Sequence, residues 1–132
     1  MTRALQRVLV AESDDSLRET LVDLLAASGR ETVPAHSTNA MERALVEAFA
    51  LGRRFDILVV DLALPGSCAF EMLERLGAAG LRPATVVLST RTDDAILVDI
   101  YRIGCICVLA KPIDVRDLLF VVDRIVPTAN QT

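Results

Sequence analysis

Four residues able to carry charge or offer a hydroxyl stand at the ends of apolar runs in this 132-residue chain. They are Glu12 after Val8-Leu9-Val10-Ala11, Asp61 after Ile57-Leu58-Val59-Val60, Ser89 after Val86-Val87-Leu88, and Lys111 after Val108-Leu109-Ala110. A carboxylate that closes a buried run is costly unless a charge or a metal pairs with it. Helix capping is the other reading of Asp61, but the next helix is expected to begin only around Gly66 to Ala69, past Pro65, so a functional carboxylate is favoured. Lys111 precedes Pro112, whose fixed φ sets the backbone where the side chain must project. A point cation on a flexible stem suits a phosphoryl oxygen or an unpaired carboxylate. Ser89 taken alone is equally a strand-end hydroxyl that satisfies backbone groups. Convergence of all four carries more than any member.

The elements that must position them alternate strictly. Five short apolar runs read as strands: Arg7 to Ala11, Glu31 to Ala35, Asp56 to Val60, Ala84 to Leu88 and Ile106 to Ala110. The second carries Glu31 and Pro34 and is the candidate edge strand, whereas the nearly continuous apolar character of the others suits parallel strands covered on both faces. Between the runs, Leu17, Leu21, Leu24 and Leu25, then Met41, Ala44, Leu45 and Ala48, then Phe70, Leu73 and Leu76, then Ile96, Ile100 and Ile103, and finally Leu118, Val121, Val122 and Ile125 recur at helical spacing. Strand–helix alternation with right-handed crossovers predicts an α/β fold, a doubly wound parallel sheet of five strands with five helices. In such sheets the reactive site lies outside the carboxyl ends of the strands, which is where Glu12, Asp61, Ser89 and Lys111 fall.

Composition narrows the function classes. One domain is expected over residues 1–126, followed by a polar tail over 127–132. The net charge of −4 and the lack of any basic, aromatic-interleaved stretch argue against a nucleic-acid surface. No run approaches the roughly 18 apolar residues of a membrane span, and Cys68, Cys105 and Cys107 lack C-x-x-C spacing, so a soluble, cytoplasmic protein with reduced thiols is expected. Cys105 and Cys107 alternate with Ile106 and Val108, which places both thiols on one face as small buried hydrophobes. His36, the single histidine, is assigned no role.

The matching segments Val8 to Glu12, "DILVVDLALPG" from Asp56 to Gly66, "VVLSTR" from Val86 to Arg91 and "GCICVLAKPID" from Gly104 to Asp114 resemble the receiver domain of bacterial two-component signalling, the chemotaxis-regulator type, across nearly the whole chain. The resemblance implies a flavodoxin-like strand order 2-1-3-4-5. It implies that Asp61 accepts a phosphoryl group from a histidine kinase or phosphotransfer protein, that Lys111 pairs with Asp61 or its phosphate, and that Ser89 moves to bond the phosphoryl group. It implies magnesium (Mg2+) held by Asp61, the Ala63 backbone carbonyl and an acid after the first strand. The role is that of a phospho-accepting signalling domain, not an enzyme acting on a separate substrate.

Three departures stand out. Aligned without gaps, Ser13 occupies the position of a directly ligating carboxylate, which weakens the expected metal site. Glu12 with its longer arm, Asp14 or water are the three candidate replacements, although Asp14 and Asp15 are better read as starting the first intervening helix. Val108 stands where the family commonly has an aromatic. In the fourth helix Ile96, Leu97, Val98, Ile100, Tyr101 and Ile103 cover roughly 220° at about 100° per residue. That is wider than one buried face needs, so Ile96, Leu97, Ile100 and Tyr101 mark a surface for a partner or a second copy of the chain. A phosphorylation-independent interaction or dimerisation module of the same fold is the competing function.

Overall fold

The computed structural model describes residues 5–125; the expected tail over 127–132 lies outside them. The chain alternates β1 (Arg7–Ala11), α1 (Asp15–Ala27), β2 (Glu31–Ala35), α2 (Thr38–Ala50), β3 (Ile57–Asp61), α3 (Ala69–Ala78), β4 (Ala84–Ser89), α4 (Asp94–Arg102), β5 (Cys107–Ala110) and α5 (Val115–Val122). All pairings are parallel, in the order β2-β1-β3-β4-β5. Pro34, which has no N–H for a second ladder, sits as expected on the edge strand β2.

Two aliphatic cores cover the sheet. Alternate residues of β1 and β3 divide between them, because successive side chains on a strand point to opposite faces. Leu9, Leu58, Val60 and Val87 pack with Met41 and Leu45 of α2, Leu73 and Leu76 of α3 and Ile100 of α4. Val8, Val10, Ile57, Val59 and Val86 pack with Leu21 and Leu25 of α1 and Leu118 and Val122 of α5. At roughly 1.5–3 kcal/mol for each fully buried aliphatic side chain, these faces drive the assembly.

Side-chain oxygens cap the starts of α1, α2 and α5. Asp14 accepts from the Leu17 N–H at 2.8 Å, Ser37 from Ala40 at 3.1 Å and Asp114 from Arg116 at 2.9 Å. Helix α3 begins after Cys68 without a side-chain cap, so Asp61 is no cap. It is instead the last residue of β3, as Ser89 is of β4, one position further into the strands than the apolar runs suggested. Gly66, at φ 111°, lets the β3–α3 loop lie against α2: a Cβ there would stand 2.4 Å from Thr38 Oγ1.

One expectation is corrected. Cys105 and Cys107 do not share a face: Cys105 packs in the core of α2, α3 and α4, and Cys107 against that of α1 and α5. Strand β5 begins only at Cys107, and Cys105 belongs to the turn that closes α4, its N–H donating to Ile100 O at 3.2 Å, so period-two alternation does not reach it. Both thiols are pushed above their ordinary pKa by burial.

Candidate functional site

The strand order places the carboxyl ends of β1, β3, β4 and β5 side by side, and ladder bonds continue past them. The Glu12 N–H donates to Ala35 O at 3.0 Å, Leu62 to Leu88 O at 3.0 Å and Lys111 to Ser89 O at 2.9 Å. Each candidate side chain therefore springs from backbone already fixed by the sheet. The Lys111–Pro112 peptide bond is cis.

Glu12, with no exposed surface, and Asp61, 2 % exposed, meet at a single ammonium. Lys111 Nζ lies 2.8 Å from Glu12 Oε1 and 3.2 Å from Asp61 Oδ2. The other oxygens are engaged too. Asp61 Oδ1 accepts the Ala63 N–H at 2.9 Å, and Glu12 Oε2 accepts the Asp14 N–H at 3.0 Å. Ser13 Oγ donates to Asp61 Oδ2 at 3.2 Å and lies 3.5 Å from Glu12 Oε2. Burial opposes the charge on Asp61, but the Ala63 N–H and the Lys111 ammonium outweigh it and hold the carboxyl below its ordinary pKa. Burial likewise opposes the charge on Lys111, and the bond to Glu12 and the charge of Asp61 outweigh it and raise the ammonium pKa.

Ser89 is brought close without joining this network. Its Oγ accepts the Arg91 N–H at 2.9 Å, and with Asp61, Cys68, Phe70, Thr90 and Arg91 it lines an open cleft of about 270 Å³. The hydroxyl proton of Ser89 is thus directed by no acceptor within the bond it makes to Arg91. A buried, ionised carboxylate beside an ammonium, opening on a cleft with a hydroxyl, is arranged to act as an oxygen nucleophile and to stabilise a transferred anion.

Other sequence expectations separate here. Asp14 turns away to cap α1, and Asp15 pairs with Arg18 at 2.6 Å, so neither carboxylate enters the pocket. The Ala63 N–H donates to Asp61 Oδ1 and so fixes the start of the β3–α3 loop on the carboxylate. Val108 is half-buried against the core of α2, α3 and α4, and His36 is exposed. Sequence reasoning missed Arg18, whose guanidinium donates to the Glu12 carbonyl at 2.8 Å and ties down the β1–α1 loop. Its spacing three residues after Asp15 on a helix was the available signal. It also missed Arg91, whose place on the cleft no spacing reveals.

The donor set does not fit a divalent cation as arranged. Among the described residues no group of three His, Cys, Asp or Glu side chains converges to hold one. The two carboxylates present are both on Lys111, and the third position carries the neutral Ser13 hydroxyl, a poor match for an ion that prefers charged hard oxygens. Among the described residues no helix is long and apolar enough to cross a membrane.

Comparison with known proteins gives one family. A model described as the response regulator receiver domain matches residues 8–123. The transcriptional regulatory protein FixJ of Azorhizobium caulinodans is 33 % identical over 109 residues, covering 81 % of this chain and 48 % of that protein. The transcriptional regulatory protein AruR of Pseudomonas aeruginosa is 25 % identical over 113 residues, covering 86 % and 46 %. The chain thus spans about half the length of these curated relatives. Among solved structures, the chemotaxis protein CheY4 of Vibrio cholerae superposes with a TM-score of 0.79 at 23 % identity, over 93 % of this chain and all of that one.

Proposed function

The chain belongs to the response regulator receiver domain family, a signalling family of two-component systems, and on that premise we propose that Asp61 accepts a phosphoryl group from the phosphohistidine of a histidine kinase or phosphotransfer protein. An Asp61 oxygen attacks phosphorus, the P–N bond breaks, and its electron pair returns to the imidazole. The observation that carries this reading is the contact of Lys111 Nζ with Asp61 and Glu12. It keeps the buried carboxylate ionised, and therefore nucleophilic, while leaving a cation where phosphoryl charge would collect. Ser89, at the strand end beside it, supplies the hydroxyl that turns to the phosphoryl group.

Receiver domains generally bind Mg2+; in this chain the Ser13 hydroxyl and the engagement of Glu12 and Asp61 with Lys111 weaken that binding. The signal leaves through the face of α4, β5 and α5. Support comes from exposed apolar side chains there: Val98 and Tyr101 on α4, Ile106 before β5 and Phe120 on α5. Of the partner-surface residues expected on α4, Tyr101 is exposed, Ile96 and Leu97 are half-buried, and Ile100 is core.

The test is phosphorylation by acetyl phosphate, read by phosphate-affinity electrophoresis with magnesium and with EDTA. The wild type is expected to shift and Asp61→Asn to stay unshifted. A wild type that shifts under neither condition, or an Asp61→Asn variant that shifts like it, overturns the assignment.

A further inference from the structure

Phosphorylation of Asp61 would exchange one negative charge for about two on a phosphoryl group with three acceptor oxygens, while Glu12 stays buried beside it. Lys111 balances one charge. A divalent cation would ordinarily balance more, but Ser13, Asp14 and Asp15 supply no further carboxylate to the pocket. Resting on the phospho-accepting reading above, we propose that Arg91, acting with Lys111, takes the place of the divalent cation and makes phosphoryl acceptance independent of metal.

Arg91 is placed for this task. It lines the same cleft as Asp61 and Ser89, and its backbone N–H is anchored on the Ser89 hydroxyl. The guanidinium is paired with Asp93 at 3.1 Å, with the two side chains 66 % and 48 % exposed. Exposed pairs of this kind are weak and easily exchanged. A phosphoryl group offers the guanidinium fork two parallel charge-assisted bonds, a stronger partner than an exposed carboxylate held through the single nitrogen Nη2.

The exchange has a consequence for α4. Asp93 is its N-cap residue, yet its side chain caps nothing. When Arg91 leaves it for the phosphoryl group, the Asp93 carboxylate becomes free to accept from the first-turn N–H groups of α4. Arrival of the phosphoryl group on Asp61 is thereby connected to the start of the helix that carries Val98 and Tyr101.

The experiment uses the whole chain and acetyl phosphate in EDTA or in magnesium, with Arg91→Gln, Arg91→Lys and Ser13→Asp. The donor's P–O bond breaks and acetate leaves. Wild type is expected to be labelled to a similar extent in both. Loss of a charge-assisted bond should lower Arg91→Gln labelling in EDTA roughly tenfold or more, with partial recovery in Arg91→Lys. Backbone amide shifts at Ala95 and Ile96 on phosphorylation should be present in wild type and lost in Arg91→Gln. Separately, millimolar Mn2+ alone should leave the Asp61 and Ser13 amide signals of wild type unbroadened and broaden them in Ser13→Asp. Labelling of wild type only with magnesium, or Arg91→Gln labelled as well as wild type in EDTA, overturns this inference and leaves Asp61 as phospho-acceptor. No labelling in either condition overturns both.

Discussion

Two aspartates flank strand β3, and both are buried: Asp56 before its first residue at 7 % exposure and Asp61 at its last at 2 %. Asp56 accepts the backbone N–H of Arg7 at 2.7 Å, and the Asp56 N–H returns to Arg7 O at 2.8 Å, so the carboxylate helps fasten β3 to β1. Asp61 accepts one backbone N–H, from Ala63, but its other oxygen faces the side chains of Ser13 and Lys111, and the residue lines the cleft. Burial alone does not distinguish a structural carboxylate from a reactive one. What differs is the partner, because side chains can be exchanged for an incoming group at little cost, whereas a ladder bond lost from a buried strand leaves backbone groups unsatisfied.

Stability measurements can break this contrast. The largest effect is expected for Lys111→Met, which leaves Glu12 and Asp61 buried without their cation. Removing one partner of a fully buried pair costs about 3–5 kcal/mol; Lys111 keeps 18 % of its side chain exposed, so urea denaturation should show about 2–3 kcal/mol. Asp56→Ala should lose about 2 kcal/mol for its bond to the Arg7 N–H, and it should leave acetyl-phosphate labelling of Asp61 as in wild type. A labelling loss in Asp56→Ala with its fold retained would erase the distinction between the two ends.

Acid and alkali sharpen it further. The folded pKa of Asp61 lies below the unfolded value of about 3.9, so its contribution to stability is present above that value and is lost as pH falls through the lower folded pKa. Lys111 is shifted the other way: its contribution is full below about pH 10.4 and is lost as pH rises through the raised folded pKa. Thermal melts across pH should therefore show Asp61→Asn with a shallower acid limb than wild type, and Lys111→Met with a shallower alkaline one. Unchanged limbs would mean that the pair contributes nothing to folding. Asp14→Ala, removing the α1 cap, is expected to cost about 1 kcal/mol by urea denaturation; wild-type stability with acetyl-phosphate labelling of Asp61 lost in that variant would show that Asp14 serves the pocket instead.

Much of this was legible in the chain. Five apolar runs alternating with helical spacing determined the layered sheet, because period two and period 3.6 are local properties of the backbone. Strand-end polar residues after buried runs singled out Glu12, Asp61, Ser89 and Lys111, since a charge in that setting must find a partner. Local spacing failed where a boundary moved by one or two residues: Cys105 fell outside β5 and onto the other core.

The sequence by itself determined the fold class and the residue types of the pocket, down to the serine at position 13. Only the tertiary structure decided who holds whom: Lys111 on both carboxylates, Asp14 on the helix and Arg91 on the cleft. The physical reason is that these contacts join strand ends far apart in the chain. A side chain's partner is set by the sheet order and by competition among nearby donors, neither of which any local stretch encodes.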